Sequence, residues 1–178
     1  MPVSLSAIER YSADHLLDGA AYWSASHTAW TTHFGRVRQE TQGLNWHGAG
    51  GDGAWRQSVR DESTAHGAAM VAGAAGSSAK AAAATLMFLK QTVLDHVQTA
   101  RANGFRVNDD LSVQDTVKSY PSIAIAAARQ QEAQRHAADI GCATTELLAH
   151  DAQVAAMLHS HGTALDAMQF CDGQPLGG

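Results

Sequence analysis

Along this chain, apolar and aromatic residues recur at steps of three, four and seven, the spacing of one face of an α-helix. The first run is Ala20, Trp23, His27, Trp30, Phe34, Val37, Thr41 and Leu44. A capping-box pattern, Ser6-Ala7-Ile8-Glu9, precedes it. The spacing predicts a first helix from about Ser6 or Asp18 to about Gln42, with Gly19 as its weak point. Between Gly43 and Gly53, five glycines in eleven residues break the pattern. Glycine loses more backbone freedom on folding than any other residue, so this segment reads as a turn. Within it, Asn45 is placed to end the first helix and Asp52 to cap the next.

Helical spacing returns at Ala54 and continues to about Ala102. Trp55, Val59, Glu62 and His66 line one side near its start, and Leu86, Leu89, Val93, Val97 and Ala100 do so near its end. The Gly/Ala/Ser passage 67–84 between them contains no proline, so one continuous helix is the favoured reading; the alternative is a break within Gly73–Ser78. Asn103-Gly104 ends the run, and Phe105, Val107 and Leu111 alternate briefly, as plugs tying a loop to the helix ends. Ser112, with Asp115 three residues on, reads as the cap of a short helix, and Tyr120-Pro121 as a boundary. A last helix is expected from about Ser122 to about Gln169, on the stripe Ala126, Ala133, Ile140, Leu147, Val154, Leu158 and Leu165. Steps of seven mark long helix-on-helix contact at a shallow angle.

The fold expected is therefore all-α: an elongated antiparallel helical bundle built on a helix-turn-helix hairpin with a Trp-x-Gly turn. It is read as a single domain over 1–170, with the hairpin at 6–103, a loop at 103–111, a third long helix at 122–169 and a flexible tail at 171–178. Alanine supplies much of the apolar fraction, which favours helix and implies thin cores. The first helix is shorter than the other two, so part of the bundle is left two helices thick. That uncovered face is the physical reason to expect a partner.

Composition narrows the function classes. The formal net charge of −5 in 178 residues, with no basic stripe, disfavours nucleic acid. No stretch approaches the roughly 18 apolar residues of a membrane span, and Met1-Pro2-Val3-Ser4-Leu5 does not open a classical signal peptide. Two cysteines, Cys142 and Cys171, are either one bond between helix and tail or two ordinary thiols; Cys142, beside Ile140 and Gly141, reads as a small buried hydrophobe.

No catalytic constellation stands out. The glycines at 48–53 follow no strand and lack a phosphate-binding Lys-Ser/Thr, and there is no Gly-x-Ser-x-Gly elbow. Among ten histidines, His136 shares a helical face with Asp139, and Glu146 with His150 gives half a metal site. The plainer reading is polar residues on solvated faces, so no metal, no cofactor and no enzymatic activity are expected. His27 and His66, on otherwise apolar faces, read as partly buried and hydrogen-bonded. The tryptophans carry more. Trp23, Trp30 and Trp55, with Phe34, serve either as hairpin core or as anchors for a partner, because aromatic rings dominate both energetics.

Trp46-His47-Gly48, set between two amphipathic helices and followed by Trp55, resembles the WxG family of type VII secretion proteins. The resemblance covers residues 14–103. Longer relatives of that family include the PE/PPE proteins and the helical N-terminal domains of secreted effectors. The Ala/Gly-rich style looks mycobacterial, and the segment Gly104 to Val113 looks like a phrase of such secreted proteins. The resemblance implies a helical hairpin turning at Trp46, Gly48, Gly50, Gly51 and Gly53. It also implies a small WxG-like helical partner or secretion chaperone and a non-classical route of secretion, or residence in the cytoplasm before export. A homodimer is the alternative assembly. The family's Tyr-x-x-x-Asp/Glu signal is absent: Tyr11 meets Asp14 at three residues, Tyr22 meets Ser26 at four and Tyr120 meets Ala124 at four. Either a partner supplies that signal or this component stays behind.

Overall fold

The computed structural model describes residues 3–43 and 48–168. The elements are α1 (Leu5–Arg10), α2 (Asp14–Gly43), α3 (Ala49–Ala102), β1 (Phe105–Val107), β2 (Val113–Asp115) and α4 (Ile123–Asp166). The chain is thus mostly helical, as expected, but not purely so. Trp46, Asn45, Cys171 and the expected tail at 171–178 lie outside the described residues.

Several boundaries differ from the sequence reading. α1 starts two residues before the expected capping box: Ser4 is its N-cap, and Ser4 Oγ accepts from the Ala7 amide at 3.2 Å. α1 and α2 are separate helices, divided at residues 11–13. Gly50, Gly51 and Gly53, expected in the turn, are the first residues of α3, and Asp52 sits in that first turn instead of capping it. Each glycine costs the helix roughly 1 kcal/mol relative to alanine, which a cooperative helix continued by 49 further residues absorbs. Of the glycines at 48–53, Gly48 takes a left-handed conformation, at φ +100°. α3 runs through Gly73–Ser78 without a break. The short helix expected from Ser112 is a strand: β1 and β2 pair antiparallel, with Phe105 opposite Asp115 and Val107 opposite Val113. Here the alternation of Phe105 and Val107 outweighs the capping signal, because both side chains have a helical layer to be buried against.

The helices form two compact units, Met1–His15 with Ala82–Val154, and Leu16–Ala81 with Ala155–Gly178. The core of the first unit is branched and aliphatic. Leu86, Val93, Val97 and Ile140 are its largest fully buried side chains, joined by Leu5, Ile8, Phe105, Val107, Leu147 and Val154. The six-residue α1 is too short to persist alone and is tied at both ends. The Leu5 amide donates to the Asp109 carbonyl and the Ser6 amide to Asp109 Oδ1, at 2.7 and 2.8 Å. At the other end, Lys90 Nζ donates to the carbonyls of Glu9 and Tyr11, at 2.8 and 2.7 Å, supplying a cation where the helix leaves carbonyls unpaired.

The strand hairpin is clasped to α4 by Arg129. Its Nε and Nη2 donate to the two oxygens of Asp115 at 3.0 and 3.1 Å, Nη1 donates to Glu132, and Nη2 also reaches the Asn103 carbonyl. The guanidinium lies 3.9 Å over the Phe105 ring, and Tyr120 donates its hydroxyl to Asp115. These contacts, Arg129 first and Tyr120 second, hold the Asp115 carboxyl well below the usual carboxylate range. Beside the clasp, His136 is buried against Phe105, and Asn103 Nδ2 donates to its Nε2 at 3.2 Å. The solvated-face reading of His136 is therefore corrected; its neighbour Asp139 is exposed.

In the second unit the core is alanine. Ala65, Ala68, Ala69, Ala72, Ala75 and Ala79 of α3 are buried, together with Leu16 and Ala20 of α2. Ala65, Ala72 and Ala79 fall seven apart. α2 and α3 run antiparallel, since numbers fall along α3 as they rise along α2: Ala20 and Ser24 meet Gly76, His27 meets Gly73, and Arg38 meets Glu62. The approach is closest at Gly76. A Cβ there would stand 3.0 Å from Ser24 Oγ, 3.1 Å from the Ala20 carbonyl oxygen and 3.3 Å from Trp23 Cβ. The bottom of the seam also carries a polar pin: His27 Nδ1 donates to the Ala69 carbonyl at 2.7 Å, the partly buried and satisfied state expected of that residue.

Two outcomes follow from this packing. Gly76→Val should destabilise the protein by about 1–3 kcal/mol through overpacking, whereas Gly35→Ala, where a Cβ would meet nothing within 4 Å, should stabilise it by up to about 1 kcal/mol; urea unfolding of the two variants checks both signs. Because Asp115 is more acidic folded than unfolded, the clasp contributes stability above the ordinary carboxylate range and loses it as pH falls below. The difference in unfolding midpoint between the wild type and Asp115→Asn should be largest near pH 7 and shrink steadily below about pH 4.

Candidate partner-binding groove

The two sequence stripes that begin the hairpin meet in the second unit. Trp30 and Phe34 stand one turn apart on α2, and Val59, Glu62 and His66 stand at the same spacing on the facing side of α3. Where Ala20 and Ser24 meet Gly76, small residues let the backbones close. Farther along, indole and phenyl rings are too large to be enclosed between two helices alone. They stay half-buried and leave a groove of about 530 Å³. Thr31, Gly35 and Ser63 are its small wall residues and Arg38 closes one lip.

Arg38 Nη1 lies 3.1 Å from Glu62 Oε1. With side chains 52% and 26% exposed, this pair contributes at most about 1 kcal/mol. Its larger effect is on the rim, where a cation and a carboxylate present both signs around an apolar floor. His66, expected to be partly buried, is exposed at the groove's edge. The inward positions of that turn go to Ala65 and Ala69.

The residues expected to meet a partner are divided by the structure. Trp30 and Phe34 line the groove. Trp23 is half-buried deeper in the hairpin, its Cβ against Gly76 and its ring edge-on to Tyr22 at 5.6 Å. Trp55 is 36% exposed and lies outside the groove lining, with its carbonyl accepting from the Ser58 hydroxyl. The turn residues Gly48, Gly50, Gly51 and Gly53 lie outside it too, and Trp46 is not among the described residues. Val59, Glu62 and Ser63 line the groove in addition to the expected rings. The first two belong to a stripe visible in the sequence, but nothing in one helix alone says that its facing stripe will be held open.

Other chemistry considered from the sequence does not assemble. Among the described residues no group of three His, Cys, Asp or Glu side chains is placed to hold a metal ion. Glu146 is exposed and His150 half-buried. Cys142 is exposed, not the buried small hydrophobe expected; the inward positions of that turn go to Ile140, Ala143 and Thr144. No described helix is long and apolar enough to cross a membrane.

No known family's sequence profile matches the chain, and no solved structure matches it. It is similar to uncharacterised proteins of Mycobacterium bovis and Mycobacterium tuberculosis, each 35% identical over 158 residues, or 89% of this chain. The match takes in 49% of each relative, so the chain spans about half the length of the curated relatives it resembles. The composition that looks mycobacterial thus has its likenesses in mycobacteria.

Proposed function

We propose that this chain is a non-enzymatic helical module of the type VII secretion kind, which binds one amphipathic helix of a small partner in the α2–α3 groove. The observation that carries the reading is the pair of half-exposed rings, Trp30 and Phe34, over an apolar floor with a rim of both charges. Helix-in-groove recognition uses this arrangement, with apolar anchors entering and the rim setting orientation. The secretion setting is taken from the Trp46-His47-Gly48 resemblance, and the mycobacterial relatives carry no stated role of their own. The partner would be a small WxG-like helical protein or a secretion chaperone, and export of the pair would follow a signal carried by the partner.

A second reading, a homodimer, is favoured by a different surface. At the start of α4, Ile123 is 89% exposed and Ile125 45%, and residues 119–128 carry no charged side chain. Exposed apolar patches of this kind mark association surfaces.

Gly35→Leu separates the groove from the fold, because a Cβ at Gly35 meets nothing within 4 Å and the longer side chain would fill the groove. A photo-crosslinker placed at Ser63 should capture one small helical protein in native cells. Adding Gly35→Leu should abolish the adduct without lowering the melting temperature. No adduct, or an adduct indifferent to Gly35→Leu, would refute the groove reading. Light scattering that gives a monomer at micromolar concentration would remove the homodimer.

A further inference from the structure

The first unit has a recess of its own. It lies between the N-terminal segment with α1 and the second half of α4, with a volume of about 240 Å³. Its walls are aliphatic: Val3, Ala7 and Ile8 on one side, Leu147 and Leu148 on the other. At one end stand Tyr11 and Asp151. Tyr11 donates its hydroxyl to Asp151 Oδ1 at 2.8 Å across 140 residues of chain. Burial first, and then this bond to the carboxylate, push the Tyr11 pKa up, so the phenol stays protonated and the pair is a carboxylate with one donor already in place.

Asp151 is half-buried and belongs to none of the ion pairs among the described residues. The nearby cations are engaged elsewhere: Lys90 Nζ on the Glu9 and Tyr11 carbonyls, Arg10 Nε on the Ser6 carbonyl. Neither lines the recess. A carboxylate at the end of an aliphatic trough calls for a compact cationic donor on an apolar stem. One oxygen is taken by Tyr11, so a single-point donor suits the site better than the two-pronged guanidinium. At about 30 Å³ per water-sized group, the recess holds roughly eight such groups, the size of a six-carbon stem with its head.

We infer that this recess binds an alkylammonium group, its ammonium on Asp151 beside Tyr11 and its stem between Ile8 and Leu147. The site is separate from the α2–α3 groove, and its standing does not depend on the secretion reading. A free amine and a lysine side chain of another protein share this chemistry.

Calorimetric titration of the full chain at pH 7 with hexylammonium, hexanol and hexanoate tests it. Hexylammonium should bind saturably, at least tenfold tighter than hexanol, and hexanoate should bind weakest. Asp151→Asn, which keeps an oxygen to accept from Tyr11, should erase the preference for hexylammonium over hexanol. Leu148→Lys, at a 45% exposed position one turn before Asp151, should block hexylammonium with unchanged melting by placing a tethered ammonium there. Equal binding of hexanol and hexylammonium, no saturable binding, or indifference to both substitutions would overturn the inference. Nα-acetyl-lysine methylamide, with its side-chain ammonium free, distinguishes the sources: tighter binding than hexylammonium supports the site as a lysine receptor, weaker binding as a receptor for a free amine.

Discussion

The size of the side chains along the buried stripe of α3 governs the rest of the structure. Where the stripe is alanine and glycine, from Ala65 to Ala79, α2 comes close enough that a methyl group at Gly76 would stand 3.1 Å from the Ala20 carbonyl oxygen. Where it becomes Leu86, Leu89, Val93 and Val97, the burial is carried by branched side chains. The same helix therefore builds two kinds of core. The groove is a consequence of the first kind: a seam set close by Gly76 meets rings at Trp30 and Phe34 that it cannot enclose.

The first unit spends polar contacts on elements too short to hold themselves. α1 has six residues and each strand three. α1 is fixed by Asp109 and Lys90, and the strands by Arg129. Arg129 serves four neighbours at once, stacking on Phe105 while donating to Asp115, Glu132 and Asn103, and Tyr120 donates to the same Asp115 carboxylate. Its planar fork permits this; an ammonium would not satisfy the two Asp115 oxygens and the ring together.

The long helices were legible in the sequence because seven-residue spacing persists over many turns. The stripe Ala133, Ile140, Leu147, Val154 is buried as its spacing requires. The alanine part of α3 was harder to read. Alanine is common on both faces of such a helix, so Ala72, which is buried, and Ala74, which is exposed, look alike in sequence. The strands were missed because three residues give too little alternation to outweigh a capping signal at Ser112. Cys142 and His136 were misplaced for a related reason: on an alanine-rich helix the polar residues, not the apolar ones, show which face is inside, and a buried histidine blurs that mark. Of the groove, Trp30 and Phe34 were visible in advance. The open space between them and Val59 was not, since it arises from two helices and belongs to neither.

A seam of methyl groups is smooth along its length, and little in it sets how far one helix has advanced past the other. In a coiled coil, large knobs in deep holes do that work. Here the hydrogen bond from His27 to Ala69, seated in the notch at Gly73, acts as an index mark. It fixes the registration of α2 on α3, and with it which residue of α3 is set opposite Phe34.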